Sequence, residues 1–172
     1  MQYILDFDHT LYNTDLFVSA AGPYRESGLW VTPAIWDILD SKDFFYDDSI
    51  QFLKRQQKEH VRILTAMTPS LGPESCEFQK VKVERSGVQT YVSDTIYMEG
   101  DKGSFIAEMY DGSPTVFVDD RIDHLLSAKK HCHEILVVQM VRPGLEGKIP
   151  TAESEGVPVV NSLSALEALF QK

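Results

Sequence analysis

The sequence predicts an α/β domain of three layers built on a largely parallel sheet. Short apolar or β-branched runs recur along the chain, helical apolar patterns separate them, and several runs stop abruptly at polar residues able to do chemistry. With 172 residues and 43% apolar content, the chain suits one domain with a sizeable core. It holds no internal repeat, low-complexity tract or long Gly/Ser/Pro linker, so a single domain over residues 1–172 is expected.

Tyr3, Ile4 and Leu5 read as the first strand, too short for a buried helix and ended by polar residues. Residues 12–48 follow, rich in aromatics and in turn residues such as Gly22-Pro23 and Gly28, and read as a small helical insertion. Within it Thr32-Pro33 is a helix start, Ile35, Trp36, Ile38 and Leu39 supply an apolar stripe, and Trp30, Trp36, Phe44, Phe45 and Tyr46 would form most of a lid core. Asp48, Ile50, Phe52 and Leu53 continue in a helical pattern to about Glu59, and Val61-Arg62-Ile63-Leu64 is a second strand ending at Thr65. Residues 73–85 read as a helix stopped by Gly87, and Thr90-Tyr91-Val92-Ser93 as the third strand. Lys102 opens a helix reaching Tyr110, Asp111-Gly112-Ser113-Pro114 turns the chain, and Thr115-Val116-Phe117-Val118 is a fourth strand stopping at Asp119-Asp120. A helix over 123–131, a fifth strand over 135–140, a short strand over 157–160 and a helix over 164–170 complete the alternation.

Composition narrows the function. Against 26 acidic residues stand 16 basic ones, and the net charge of −10 gives no attraction to nucleic acid or to an anionic membrane. Cys76 and Cys132 lack C-x-x-C spacing and read as free thiols at home in a reducing compartment. Neither a membrane-length apolar run nor a signal-peptide pattern is visible, so a cytoplasmic location is expected.

The chemistry concentrates at strand ends, where ligands of open α/β sheets bind. Asp6 and Asp8 alternate beyond the first strand, so both can face one side. Two ionised carboxylates this close repel, and magnesium, a hard ion that pairs carboxylates with substrate phosphate, would offset that charge. Helix capping or an Asx-turn is the plainer use of such a pair. Thr65 ends the second strand and Asp119-Asp120 end the fourth, with Lys102 ahead of it.

In that order these residues resemble the haloacid dehalogenase superfamily of phosphohydrolases, over about residues 2–140. Asp6, Asp8 and Thr10 match its D-x-D-x-T motif; Thr65 in Ile63-Leu64-Thr65-Ala66 matches the second motif; Lys102, followed by Gly103, matches the lysine; and Val116-Phe117-Val118-Asp119-Asp120 matches the acidic pair. The resemblance implies a Rossmann-like domain of sheet order 5-4-1-2-3 with a small helical cap over residues 12–48. It implies Asp6 as nucleophile, forming an aspartyl-phosphate, and Asp8 as general acid and then base, its carbonyl also on magnesium. Asp120 would complete the metal site with Asp6, Asp119 supporting it or substituting as ligand. Thr65, the Ala66 backbone N–H and Lys102 would bind the phosphoryl oxygens. The implied activity is magnesium-dependent hydrolysis of a phosphate monoester, a small phosphorylated metabolite. The alternatives are a phosphotransferase or mutase on the same motifs, or a non-catalytic member binding a phosphorylated ligand or a protein. Asp8 favours phosphate esters over carbon–halogen bonds, because dehalogenases of the superfamily need no acid there. His9 stands where glycine is commoner, which bears on substrate range.

Weaker signals have plainer readings. Lys80 and Lys82 compete with Lys102 for the lysine role but read as solvated surface residues. His124, His131, His133 and Cys132 match no zinc spacing and read as surface histidines and a core thiol. Asp123 reads as a helix cap, with assistance to the metal site as its alternative, Arg25 as exposed, with an anionic substrate as its alternative, Arg121 as a partner of the acidic pair, and Arg142-Pro143-Gly144 as a surface loop near the site.

Overall fold

The computed structural model describes residues 1–171, with all of their side chains except those of Leu71 and Pro73. Six strands, β1 (Gln2–Leu5), β2 (Val61–Ala66), β3 (Asp94–Met98), β4 (Thr115–Asp119), β5 (Leu136–Met140) and β6 (Val159–Val160), form one sheet in the order β3-β2-β1-β4-β5-β6. Every pairing is parallel. The expected order of five strands is contained in it, and β6 extends the sheet by one strand beyond β5.

Alternation along the strands sorts side chains into two cores. Tyr3, Leu5, Val61, Ile63, Val116, Val118, Val138 and Met140 face one layer; Ile4, Leu64, Phe117 and Val137 face the other. The first layer holds α1 (Thr14–Ala20), α2 (Asp47–Arg55), α3 (Pro73–Ser86) and α6 (Leu163–Ala168); the second holds α4 (Lys102–Met109) and α5 (Ile122–His131). Local chemistry fixes the helix ends. Asn13, Asp101 and Ser162 cap α1, α4 and α6 by accepting backbone N–H bonds, and α2 carries Asp47 and Asp48 in its first turn and Lys54 and Arg55 in its last, complementing the helix dipole. Gly87, at φ 72°, ends α3 in the left-handed region.

Two expectations are corrected here. Residues 90–93 are not the third strand: a 3-10 turn occupies Val88–Thr90, and the strand lies later, at Asp94–Met98. The helix expected from Pro33 to residue 40 is a five-residue 3-10 turn, Pro33–Asp37. Around it, residues 12–48 form α1 and a succession of 3-10 turns, and the buried Phe17, Ile35, Trp36 and Phe44 join the same core as β1. Phe17 and Trp36 pack in tilted contact against Phe78 of α3, with ring centroids 5.8 and 5.3 Å away, and Arg85 of α3 donates to the Trp36 carbonyl at 3.0 Å.

The second layer depends on one close approach. A Cβ on Gly103 would lie 2.4 Å from the carbonyl carbon of Ser127, so α4 and α5 pack at this distance only with glycine there. Gly103→Ala must push the helices apart, and we expect it to cost about 1–3 kcal/mol, read as a lower melting temperature. An unchanged melting temperature would show that α4 shifts freely.

Candidate active site

The sheet brings the sequence-predicted residues to one edge. The Asp6 N–H bonds the Val118 carbonyl at 2.8 Å, extending the β1–β4 ladder one residue and placing the Asp6 side chain beside Asp119. Lys102 enters from the first turn of α4, fully buried, and its Nζ donates to Asp6 Oδ1 at 2.5 Å and to Asp119 Oδ2 at 2.7 Å. Burial opposes the charge on Lys102, yet the two carboxylates overcome it and raise its pKa.

Asp119 is held at both oxygens. Its Oδ1 accepts the Arg121 N–H at 2.9 Å, and its Oδ2 meets both Lys102 and His124 Nδ1, the latter at 3.1 Å. Burial works against ionisation of Asp119, but Lys102 and then His124 outweigh it and lower its pKa. His124 is therefore no surface histidine: it is 9% exposed and braces the acidic pair, whereas His131 and His133 are exposed as expected. The Arg121 guanidinium pairs with Asp123 at 2.5 Å rather than with the acidic side chains, and the Asp123 side chain does not cap the helix.

Asp6, Asp119 and Asp120 each offer a carboxylate oxygen within 4.8 Å of the others. Such a set of hard oxygen donors suits magnesium. Asp6 and Asp120 also lack sufficient countercharge: burial, and then the neighbouring carboxylates, push Asp6 up to about 7 against the pull of Lys102, and push Asp120 up to about 8. Without metal, the folded state therefore binds more protons than the unfolded chain from about pH 4 up to 7–8, and stability falls as pH rises through that range. Asp8 and Asp119, both lowered, contribute across the whole range and lose their contribution only in stronger acid. We expect the melting temperature in chelator to drop by about 5–10 °C between pH 6 and 8.5, and magnesium to remove the drop. A flat profile in chelator would mean the carboxylates already have their countercharge.

Asp8 sits in a different environment. Its Oδ1 accepts from Thr14 Oγ1 at 2.6 Å, its Oδ2 from Gln79 Nε2 at 2.7 Å, and Lys82 Nζ reaches both oxygens at 2.6 and 2.7 Å. Burial would raise its pKa, but Lys82, with Thr14 and Gln79, lowers it. Lys82 is thus corrected from a surface lysine to one only 3% exposed. Gln79 also donates to Thr65 Oγ1 at 2.8 Å, tying the Asp8 carboxylate to the buried hydroxyl at the end of β2. Beside them a cavity of about 390 Å³ opens between Val31, Ala66, Met67, Phe78 and Gln79.

The loop after Asp8 is held tightly. His9 takes φ 55°, the left-handed conformation that costs a side-chain-bearing residue, and its Nδ1 is buried without a partner. Thr10 is fully buried, and its carbonyl accepts from Arg142 Nε and Nη2 at 2.9 and 2.7 Å. Arg142 also bonds Asp48 at 2.7 Å and lies over Tyr46, so it is no surface loop residue but a buried brace, 2% exposed. Arg25 is exposed and lies over Trp30, 4.9 Å from the ring centroid.

No family model matches the chain, and no curated protein matches it significantly. Solved structures do. A protein titled simply a dehalogenase superimposes with a TM-score of 0.65 at 16% identity, over 99% of this chain and 97% of the other. YfnB of Bacillus subtilis, described as a candidate HAD-hydrolase and solved bound to magnesium, superimposes with a TM-score of 0.62 at 11% identity, over 99% and 98% of the two chains. The chain has the haloacid dehalogenase-like fold.

Proposed function

We propose that this protein is a magnesium-dependent phosphate monoester hydrolase that works through an aspartyl-phosphate on Asp6 and acts on a small phosphorylated metabolite. The observation that carries this is the Lys102 ammonium between Asp6 and Asp119, with a third carboxylate, Asp8, held at the same sheet edge. Asp6 attacks phosphorus; Asp8 passes to the departing alcohol oxygen the proton that a phosphate monoanion brings, and afterwards takes a proton from the water that cleaves the aspartyl-phosphate. Thr65 Oγ1 and the Ala66 N–H hold phosphoryl oxygens, and Lys102 offsets their charge. Asp6, Asp120 and the Asp8 carbonyl would bind magnesium, with Asp119 supporting, and the ion would supply positive charge to the phosphoryl group.

An acid at Asp8 supports an alcohol leaving group over halide. Residues 12–48 act as the cap in this reading: Thr14 reaches Asp8, and Val31 walls the cavity that would receive the alcohol. The test is phosphate release from an aryl phosphate with magnesium or with chelator, repeated with glycerol as acceptor. Magnesium-dependent free phosphate is expected. A phosphorylated acceptor in preference to free phosphate would make the protein a transferase, and no release from any phosphate ester would overturn the reading.

A further inference from the structure

We propose that Lys82 is a positioning residue that fixes the Asp8 carboxylate for proton transfer, so that hydrolysis of esters with poor leaving groups depends on it. The inference rests on the reading of Asp8 as acid and base given above. Lys82 belongs to none of the strand-end residues, since it lies inside α3 and reaches the site from beneath. Its side chain is 4% exposed, whereas that of Asp8 is 30% exposed, so the lysine lies on the protein side of a carboxylate that keeps contact with solvent. The ammonium is boxed by the rings of Phe7, Tyr12 and Phe78, with centroids 5.6, 5.4 and 5.8 Å away, and its backbone carbonyl is pinned by Ser41 Oγ at 2.8 Å.

A buried ammonium surrounded by aromatic rings is costly to hold as packing material; a methionine would fill the same space without desolvating a charge. What the lysine does that methionine cannot is grip both oxygens of Asp8 at once, 2.6 and 2.7 Å away. Three residues earlier on the same helix face, Gln79 ties Asp8 Oδ2 to Thr65 Oγ1. Helix α3 therefore sets the spacing between the proton-transferring group and the hydroxyl proposed to bind the phosphoryl oxygen. An aspartate side chain has two free torsions, and a displacement of about 1 Å can cost about 100-fold in rate.

The readout is the ratio of kcat/KM for an alkyl phosphate to that for 4-nitrophenyl phosphate, because kcat/KM reports the first irreversible step and nitrophenolate needs little protonation to leave. Lys82→Met is expected to lower kcat/KM for the alkyl ester about 10–100-fold and that for the aryl ester several times less, and Asp8→Asn is expected to show the same split more strongly. Lys82→Arg, which keeps the charge and is expected to fold, should fall between wild type and Lys82→Met. A merely structural lysine would lower thermal stability and leave the ratio at its wild-type value; that result in Lys82→Arg, or in a folded Lys82→Met, overturns the proposal. Failure of the parent reading shows itself separately, as a wild-type protein with no Asp6-dependent release of phosphate from either ester, and it takes this proposal with it.

Discussion

Asp6→Asn is expected to lower phosphate release from an aryl phosphate at least about 10³-fold while leaving a folded protein. An amide of the same shape keeps the packing but cannot attack phosphorus. The change also removes an ionised group from a buried position where burial and its acidic neighbours push its pKa up to about 7. Lys102 keeps Asp119 as a partner. At pH 8 in chelator, the variant should therefore melt at or above the wild type, because one of the mutually repelling carboxylates is gone. Activity and stability then move in opposite directions, which a misfolded variant cannot do. Retained turnover would remove Asp6 as nucleophile and with it the aspartyl-phosphate.

How much of this was readable before the structure follows from where each residue's partners lie. Asp6, Thr65 and Asp119 end buried strands, and the apolar runs before them place them on one edge, so their position at the strand ends is legible from local pattern alone. The third strand was misplaced because Thr90-Tyr91-Val92-Ser93 carries β propensity, whereas the true strand at the sheet edge has Asp94 exposed and needs only one buried face. Lys82 and Arg142 were the least legible. Lys82 meets its partner Asp8 across 74 positions, and Arg142 meets the Thr10 carbonyl across 132. Nothing near a helical lysine or a Pro-Gly loop announces burial, and only the assembled fold supplies the carboxylate or carbonyl that makes it tolerable. His124 was similarly hidden, although an i,i+5 relation to Asp119 across a strand-to-helix junction was the available clue.

Lys102→Met should be the most destabilising single change at this site. The lysine is the countercharge between Asp6 and Asp119, both buried, and removing one member of such a group costs about 3–5 kcal/mol because the remaining charges stay buried unpaired. In a domain of this size that corresponds to roughly 10 °C in melting temperature. The loss should be greatest above neutral pH, where Asp6 is ionised, and smaller near pH 5, where protonation of Asp6 relieves the repulsion. Lys80→Met is the comparison, because Lys80 lies on α3 beside Lys82 in sequence and makes no ion pair among the described residues. It is expected to stay within about 0.5 kcal/mol of wild type. Thermal melts of both variants at pH 5 and pH 8 in chelator decide the matter. If Lys102→Met melted with the wild type at pH 8, the acidic cluster would need no internal cation, and the charge that Asp6 requires to act as a nucleophile would have to come wholly from a bound metal.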